Sequence, residues 1–245
     1  MARAASRARG GPRAGDAGAA RGGAGARGSR RSYHHGDLRE ALVEATFALI
    51  EERGVHAFSV AEAARRTGVS AAAPYRHFAD RDDLLAEAAT RAAEELRGRF
   101  AAALAEGGTP TDRIAAAARA YVRFAAERRA MFAVLFGAGL DKPRFPRLEA
   151  ATHALLADLV EATRPLAPGR DPEAAGALVL AMGGLAQGHA TLLLDHAFGA
   201  GDDVVAEAVK RVDAATRALV RGRGALFAEL EREGVATTLA PGDDR

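Results

Sequence analysis

Three of the seven histidines lie in the C-terminal half of the chain, His153, His189 and His196. With Asp158 and Asp195 they are the groups that acid–base or metal chemistry would draw on. Their spacing argues against both. Asp195 and His196 are adjacent, so on a helix they point to different sides. No Glu-x-x-His or His-Glu-x-x-His pair is present to hold a metal. Cysteine is absent, which removes thiolate sites and disulfides and fits a reducing cytoplasm. There is no glycine-rich phosphate loop and no nucleophile elbow. These residues predict a protein with no catalytic centre, no metal site and no cofactor.

The charge that stands out is arginine. Residues 1–32 carry Arg3, Arg7, Arg9, Arg13, Arg21, Arg27, Arg30 and Arg31 against a single acid, Asp16. The formal net charge of the whole chain is only +2, so the remainder is net acidic. A basic arm on an acidic body predicts a polyanionic partner, with DNA, RNA and anionic membrane all open at this point. The arm is nearly all Ala, Gly and Arg, a composition that cannot build a core and predicts disorder. It lacks the apolar stretch of a secretory signal, although organellar transit peptides are also arginine-rich.

The elements behind these residues are helical. Leu38, Ala41, Leu42, Ala45 and Leu49 recur at three- and four-residue steps, and Gly54 stops the helix they define. Ser59-Val-Ala-Glu62 reads as a capping box for a short helix ended by Gly68. Ser70 then predicts a second short helix over 71–78, and Thr67-Gly68-Val69 makes the two a helix-turn-helix candidate. Asp80 caps a long helix through Leu84, Leu85, Ala88, Ala92, Leu96 and Phe100, ended by Gly107-Gly108. Thr109-Pro110 and Asp171-Pro172 open two more helices. The second of these is expected over 173–198, and its charge-free run 174–194 is read as a buried helix rather than a membrane span. Asp202 caps the last helix, lined by Val205, Val209, Val212, Thr216 and Leu219. No strand pattern or fixed-period repeat appears, so the expected fold is all-α. The divisions are an arm at 1–32, a three-helix helix-turn-helix domain at 33–84, a helical body at 85–235 and a flexible tail at 236–245.

Three stretches, Tyr33-His-His-Gly-Asp-Leu-Arg39, Phe58–Ser70 and Ala71–Leu85, with turn glycine and Tyr75-Arg-His-Phe78 in register, resemble the DNA-binding domain of the tetracycline-repressor (TetR) family. The Tyr33–Arg39 start resembles one branch, whose regulatory domain carries a Trp and a His-Gly pair in a late helix. Here Gly183 and Gln187 occupy the Trp and His positions. The resemblance implies that the second motif helix enters the major groove of a palindromic operator. It makes Ser59, Tyr75, His77 and Arg81 phosphate contacts, each chemically suited through hydroxyl, ring N–H or guanidinium. The base-facing positions fall on Ala61, Ala71 and Ala72, with Ala73 beside them. Alanine cannot donate to a base edge but can touch a thymine methyl. Polar readout is then left to Ser70 and Arg76, and Arg30 and Arg31 of the arm add phosphate or minor-groove grip. Arg65 and Arg66 read either as phosphate contacts or as solvated helix-end charges.

For the body, the resemblance implies a ligand pocket and a homodimer formed through the last two long helices. Phe100, Tyr121, Phe124, Met131, Phe132, Phe136, Leu155, Leu159 and Met182 are candidate lining residues for a small hydrophobic ligand. Taken singly, each of them also reads as plain core. Gln187 and His189 are the polar candidates; His189 reads equally as an interface or core histidine. The expected function is a ligand-responsive repressor in a bacterial cytoplasm, with no membrane partner. The alternative is a DNA-binding protein without a small-molecule ligand, controlled by a partner protein or architectural in role.

Overall fold

The structure is a computed structural model that describes residues 35–199, 201 and 203–235. Among them there are nine α-helices and no strand, as the periodicity predicts. The first three are α1 (His35–Arg53), α2 (Val60–Arg66) and α3 (Arg81–Leu104). Then follow α4 (Pro110–Glu127), α5 (Arg129–Gly137) and α6 (Pro146–Thr163). The last three are α7 (Pro172–Leu194), α8 (Val204–Arg221) and α9 (Arg223–Arg232).

Local chemistry accounts for the starts of α3, α4 and α7. Asp80 accepts the Asp83 amide at 2.8 Å, and Asp171 accepts that of Ala174 at 2.8 Å. Thr109 and Asp112 form a reciprocal capping box. Gly54, Gly68, Gly107 and Gly108 take positive φ where helices end or turn, a conformation without penalty only for glycine.

Five expectations are corrected. Ser59 is the N-cap of α2, but its side chain makes no capping bond; Glu62 is drawn instead to Arg53 at 2.7 Å and Arg65 at 3.0 Å. The helix expected over 71–78 is only a 3₁₀ turn, Pro74–Arg76. Pro74 has no N–H to return to Ser70, so the segment closes through three-residue steps, Ala73 N to Ser70 O at 3.0 Å and His77 N to Pro74 O at 2.9 Å. α7 ends at Leu194 rather than at residue 198. His196, at φ 57, lets its own N–H reach Leu193 O at 3.1 Å and the Ala197 N–H reach Leu192 O at 2.9 Å, a Schellman closure. The final helix is two, because the chain turns at Gly222 and resumes as α9. Asp202, expected to cap α8, and the tail 236–245 lie outside the described residues.

The fifth correction concerns α7, which is not buried all round. It is the one helix among the described residues long and apolar enough to cross a membrane. One side, including Leu178, Val179, Met182 and Ala190, is buried against α4, α6 and α8. The other exposes Leu180 (50%), Gly183, Gly184, Gly188, Thr191 and Leu192 (46%).

A single apolar core runs from the motif into the body. Leu42, Val43, Leu49, Phe58, Phe78, Leu84 and Leu85 join through α3 to Leu96, Phe100, Tyr121, Val122 and Phe124. The expected boundary between residues 84 and 85 therefore falls in the first turn of α3, with no linker. A second cluster, including Ile114, Leu178, Val179 and Val220, closes the far end.

Ion pairs cross the same boundary. Glu87 of α3, with 12% of its side chain exposed, accepts Arg39 of α1 at 2.5 Å and Arg147 of α6 at 2.6 Å. Burial alone would raise its carboxyl pKa, but the two guanidinium groups outweigh this and hold it below the usual range. A lowered carboxylate pKa adds stability at neutral pH that is lost as pH falls through and below about 4. Glu87→Gln should cost about 1–3 kcal/mol in urea unfolding at pH 7. The gap between variant and wild type should narrow on acidification; a gap that stays constant would mean that packing, not charge, is lost.

Candidate DNA-binding face and ligand cavity

The described residues expected to meet DNA lie at the N-cap of α2 and along it, in the turn after it and at the start of α3. Ala61, Ser70, Ala71, Ala72, Tyr75 and Arg76 are exposed there, and Ala73 and His77 are half-buried. Tyr75 is 57% exposed, an unusual position for an aromatic ring. Phe78, by contrast, is core at 2% exposure, with the Arg39 guanidinium 5.2 Å from its ring centroid.

Arg81 is placed differently from the other phosphate candidates. Its guanidinium donates to Val55 O at 2.9 Å and Phe58 O at 3.4 Å, and pairs with Asp82 at 3.3 Å. It thus ties the start of α3 to the segment that enters α2. Arg65 and Arg66 are also engaged, with Glu62 and with Glu52 at 2.7 Å. Arg76 makes no ion pair among the described residues. Arg30 and Arg31 lie outside the described residues.

The second site is a cavity of ≈ 360 Å³ between α3, α4, α5, α6 and α7. Of the candidates, Phe100, Tyr121, Phe136, Leu155, Leu159, Met182 and Gln187 line it. Phe124, Met131, Phe132 and His189 do not. Phe124 continues the α4 stripe one turn beyond Tyr121, where it is fully buried under Arg99, 5.4 Å from its ring. Met131 packs into the main core, and Phe132 backs the wall edge-on to Tyr121 at 5.8 Å. His189 sits two residues past Gln187, about 200° round the helix, with Nδ1 2.9 Å from Leu185 O and its ring 6.2 Å from Phe198.

Sequence reasoning missed the small and aliphatic part of the wall. Leu96, Ile114, Ala117, Ala118, Leu156, Val179, Leu180, Gly183, Gly184 and Ala186 also line it. The signal was available on α4, where Ile114, Ala117, Ala118 and Tyr121 repeat at helical spacing along one face. A Cβ added at Gly183 or Gly184 would meet nothing within 4 Å, so the absent side chains leave open space. The wall contains no carboxylate, ammonium or guanidinium. Its polar side-chain groups are the Tyr121 hydroxyl, which donates to Gln187 Oε1, and the Gln187 amide. Burial pushes the Tyr121 phenol well above its ordinary pKa, so it stays neutral and protonated.

A helix-turn-helix-like head fused through one helix to an all-α body with an apolar cavity is the build of a DNA-binding transcription regulator. Residues 42–88 match the family described as bacterial regulatory proteins, tetR family, and residues 114–216 match the tetracyclin repressor-like C-terminal domain. The chain is 30% identical to the HTH-type transcriptional regulator BetI of Rhizobium meliloti (strain 1021) over 139 residues, 55% of this chain and 68% of that protein. It belongs to the TetR family. Among solved structures it resembles a protein of unknown function from Rhodococcus sp. RHA1, at 30% identity and TM-score 0.60, over 76% of this chain and 98% of that one. The fold is also that of FadR from Bacillus subtilis, solved with stearoyl-CoA, at 17% identity and TM-score 0.57, over 74% of this chain and 96% of that one.

The cavity generates a test that needs no ligand. Ala117 is 4% exposed and lines the space from α4, so Ala117→Leu adds apolar atoms where there is room for them. The thermal midpoint should hold or rise, by up to about 1–2 kcal/mol of added burial. A clear destabilisation, as overpacking gives, would mean that the cavity closes in solution.

Proposed function

We propose that the protein is a ligand-responsive, sequence-specific repressor that binds a palindromic operator as a homodimer and leaves it when a small apolar molecule enters the cavity. The observation that carries this reading is the position of the cavity on α3. Leu96 and Phe100 face the space, while Leu84 and Leu85 of the same helix anchor the DNA-binding head. A molecule that wedges α3 therefore reorients the head without any further element.

At the DNA, Tyr75, Ser59 and His77 hold phosphates, and Arg76 is the exposed cation able to reach a base edge. Ala61, Ala71, Ala72 and Ala73 offer methyl contacts only. Ser70 adds a hydroxyl, and Arg30 and Arg31 add charge from the arm. Arg81 takes a second role here, keeping its carbonyl partners and presenting only its outer edge to the backbone. The protein acts in the cytoplasm, on the nucleoid when bound.

The exposed side of α7 supports the dimer. Leu180, Gly183, Gly184, Gly188, Thr191 and Leu192 make an uncharged stripe whose glycines permit close helix approach, and α8 lies alongside. Two heads about one DNA turn apart are what a palindrome needs. Leu180→Asp should shift the protein to monomer in sedimentation and abolish discrete operator binding while circular dichroism is retained. A variant that remains dimeric would place the interface elsewhere.

The whole reading is tested by mapping binding on genomic DNA and repeating it on a recovered fragment with hydrophobic compounds. Discrete palindromic sites released by one compound are expected. Scattered, salt-dominated binding that no compound alters would overturn the repressor reading.

A further inference from the structure

The cavity has two unlike ends. At one, Phe100 stacks on Tyr121 with centroids 6.3 Å apart and Phe136 tilts against the same ring at 5.7 Å. The Tyr121–Gln187 hydrogen bond lies at this end. At the other, Ile114 and Val179 belong to the separate aliphatic cluster, which Leu159 also joins. Tyr121 and Ile114 are seven positions apart on α4, and Gln187 and Val179 eight apart on α7. At 1.5 Å per residue the two ends are therefore about 10–12 Å apart along both helices.

The polar end is only half used. A phenol that donates to Gln187 keeps acceptor capacity on its oxygen, and the Gln187 amide nitrogen has no partner among the described residues. A ligand hydroxyl or carbonyl would complete this pair. A ligand charge would find no counter-ion on any wall, and burying it unpaired costs several kcal/mol.

We propose that the cavity selects an uncharged amphiphile about 10 Å long, with a planar or aromatic head carrying a hydroxyl or carbonyl at Tyr121–Gln187 and an aliphatic tail towards Ile114 and Val179. Anions and cations of the same shape are rejected for want of a partner. This rests on the reading of the cavity as the ligand site and names the chemistry of that ligand.

The test is calorimetric titration of the full chain with four probes of one shape, para-butylphenol, butylbenzene, para-butylbenzoate and para-butylbenzylammonium. The phenol should bind about tenfold more tightly than butylbenzene, the effect of one satisfied hydrogen bond, and about a hundredfold or more tightly than the benzoate and the benzylammonium, the effect of an avoided unpaired charge. In the double variant Tyr121→Phe, Gln187→Leu the phenol should lose its advantage over butylbenzene while butylbenzene still binds. Gln187→Met alone should reduce that advantage, and serves if the double variant does not fold. Benzoate or benzylammonium binding as tightly as the phenol overturns the proposal. So does an advantage that survives in the variants. Equal binding of phenol and butylbenzene overturns the polar end but leaves the ligand site standing, whereas binding of none of the four overturns both.

Discussion

One helix carries the constraint on which the rest depends. α3 is 24 residues long, about 36 Å from end to end, and it has no break along its length. Its first turns place Leu84 and Leu85 in the core of the head, and its later turns place Leu96 and Phe100 on the cavity wall. A helix packed along its length does not bend at small cost, so in the proposed switch displacement at one end would be delivered at the other. Arg81 makes this delivery specific. By holding the Val55 and Phe58 carbonyls it attaches the entry to α2 to the start of α3, so the motif turns with the helix rather than hinging away.

Charge reinforces the same geometry in proportion to its burial. Among the described residues most ion pairs have at least one well-exposed partner, and such pairs are worth little in water. Glu87, shared between Arg39 and Arg147, is the least exposed carboxylate among them. It links α1 of the head to α6, which lines the cavity through Leu155, Leu156 and Leu159. The guanidinium of Arg39 also lies over Phe78, the core residue that closes the recognition segment. The cavity thus reaches the head by two routes, the body of α3 and a carboxylate clasped from both sides.

What could be read from the sequence divides along physical lines. Caps such as Asp80, Thr109 and Asp171 were legible because donor and acceptor lie within three residues of each other. Ser59-x-x-Glu62 has the same spelling but a different outcome, since Arg53, nine residues away in sequence, competes for the glutamate. That competitor becomes visible only when α1 and α2 pack. Pro74 is the local reason that the segment after Ser70 is a 3₁₀ turn and not a full helix. The aromatic half of the cavity was legible because large side chains announce themselves. The glycine part on α7 was not, since space left by absent atoms has no signature in a single sequence. Gly183, which stands where the resembled branch carries Trp, belongs to that part, whereas Gln187, at the position of the His, is a sequence candidate that does line the cavity.

The thinness of that wall has its own consequence for the proposed dimer. Leu180, Gly183 and Gly184 line the cavity and are also exposed on the outer side of α7. At the two glycines nothing but backbone stands between the two sides. In a dimer formed on this stripe, a partner helix would approach within a single helix diameter of the bound molecule, about 10 Å. Ligand and partner would then press on opposite faces of the same two turns of α7. In such a dimer the spacing of the two heads would depend on how the subunits pack as well as on the tilt of α3. A ligand that shifts α7 changes the first, and one that wedges Leu96 and Phe100 changes the second. Because one cavity touches both helices, operator release would not require a ligand to fill it completely, only to engage the segment where α3 and α7 face each other.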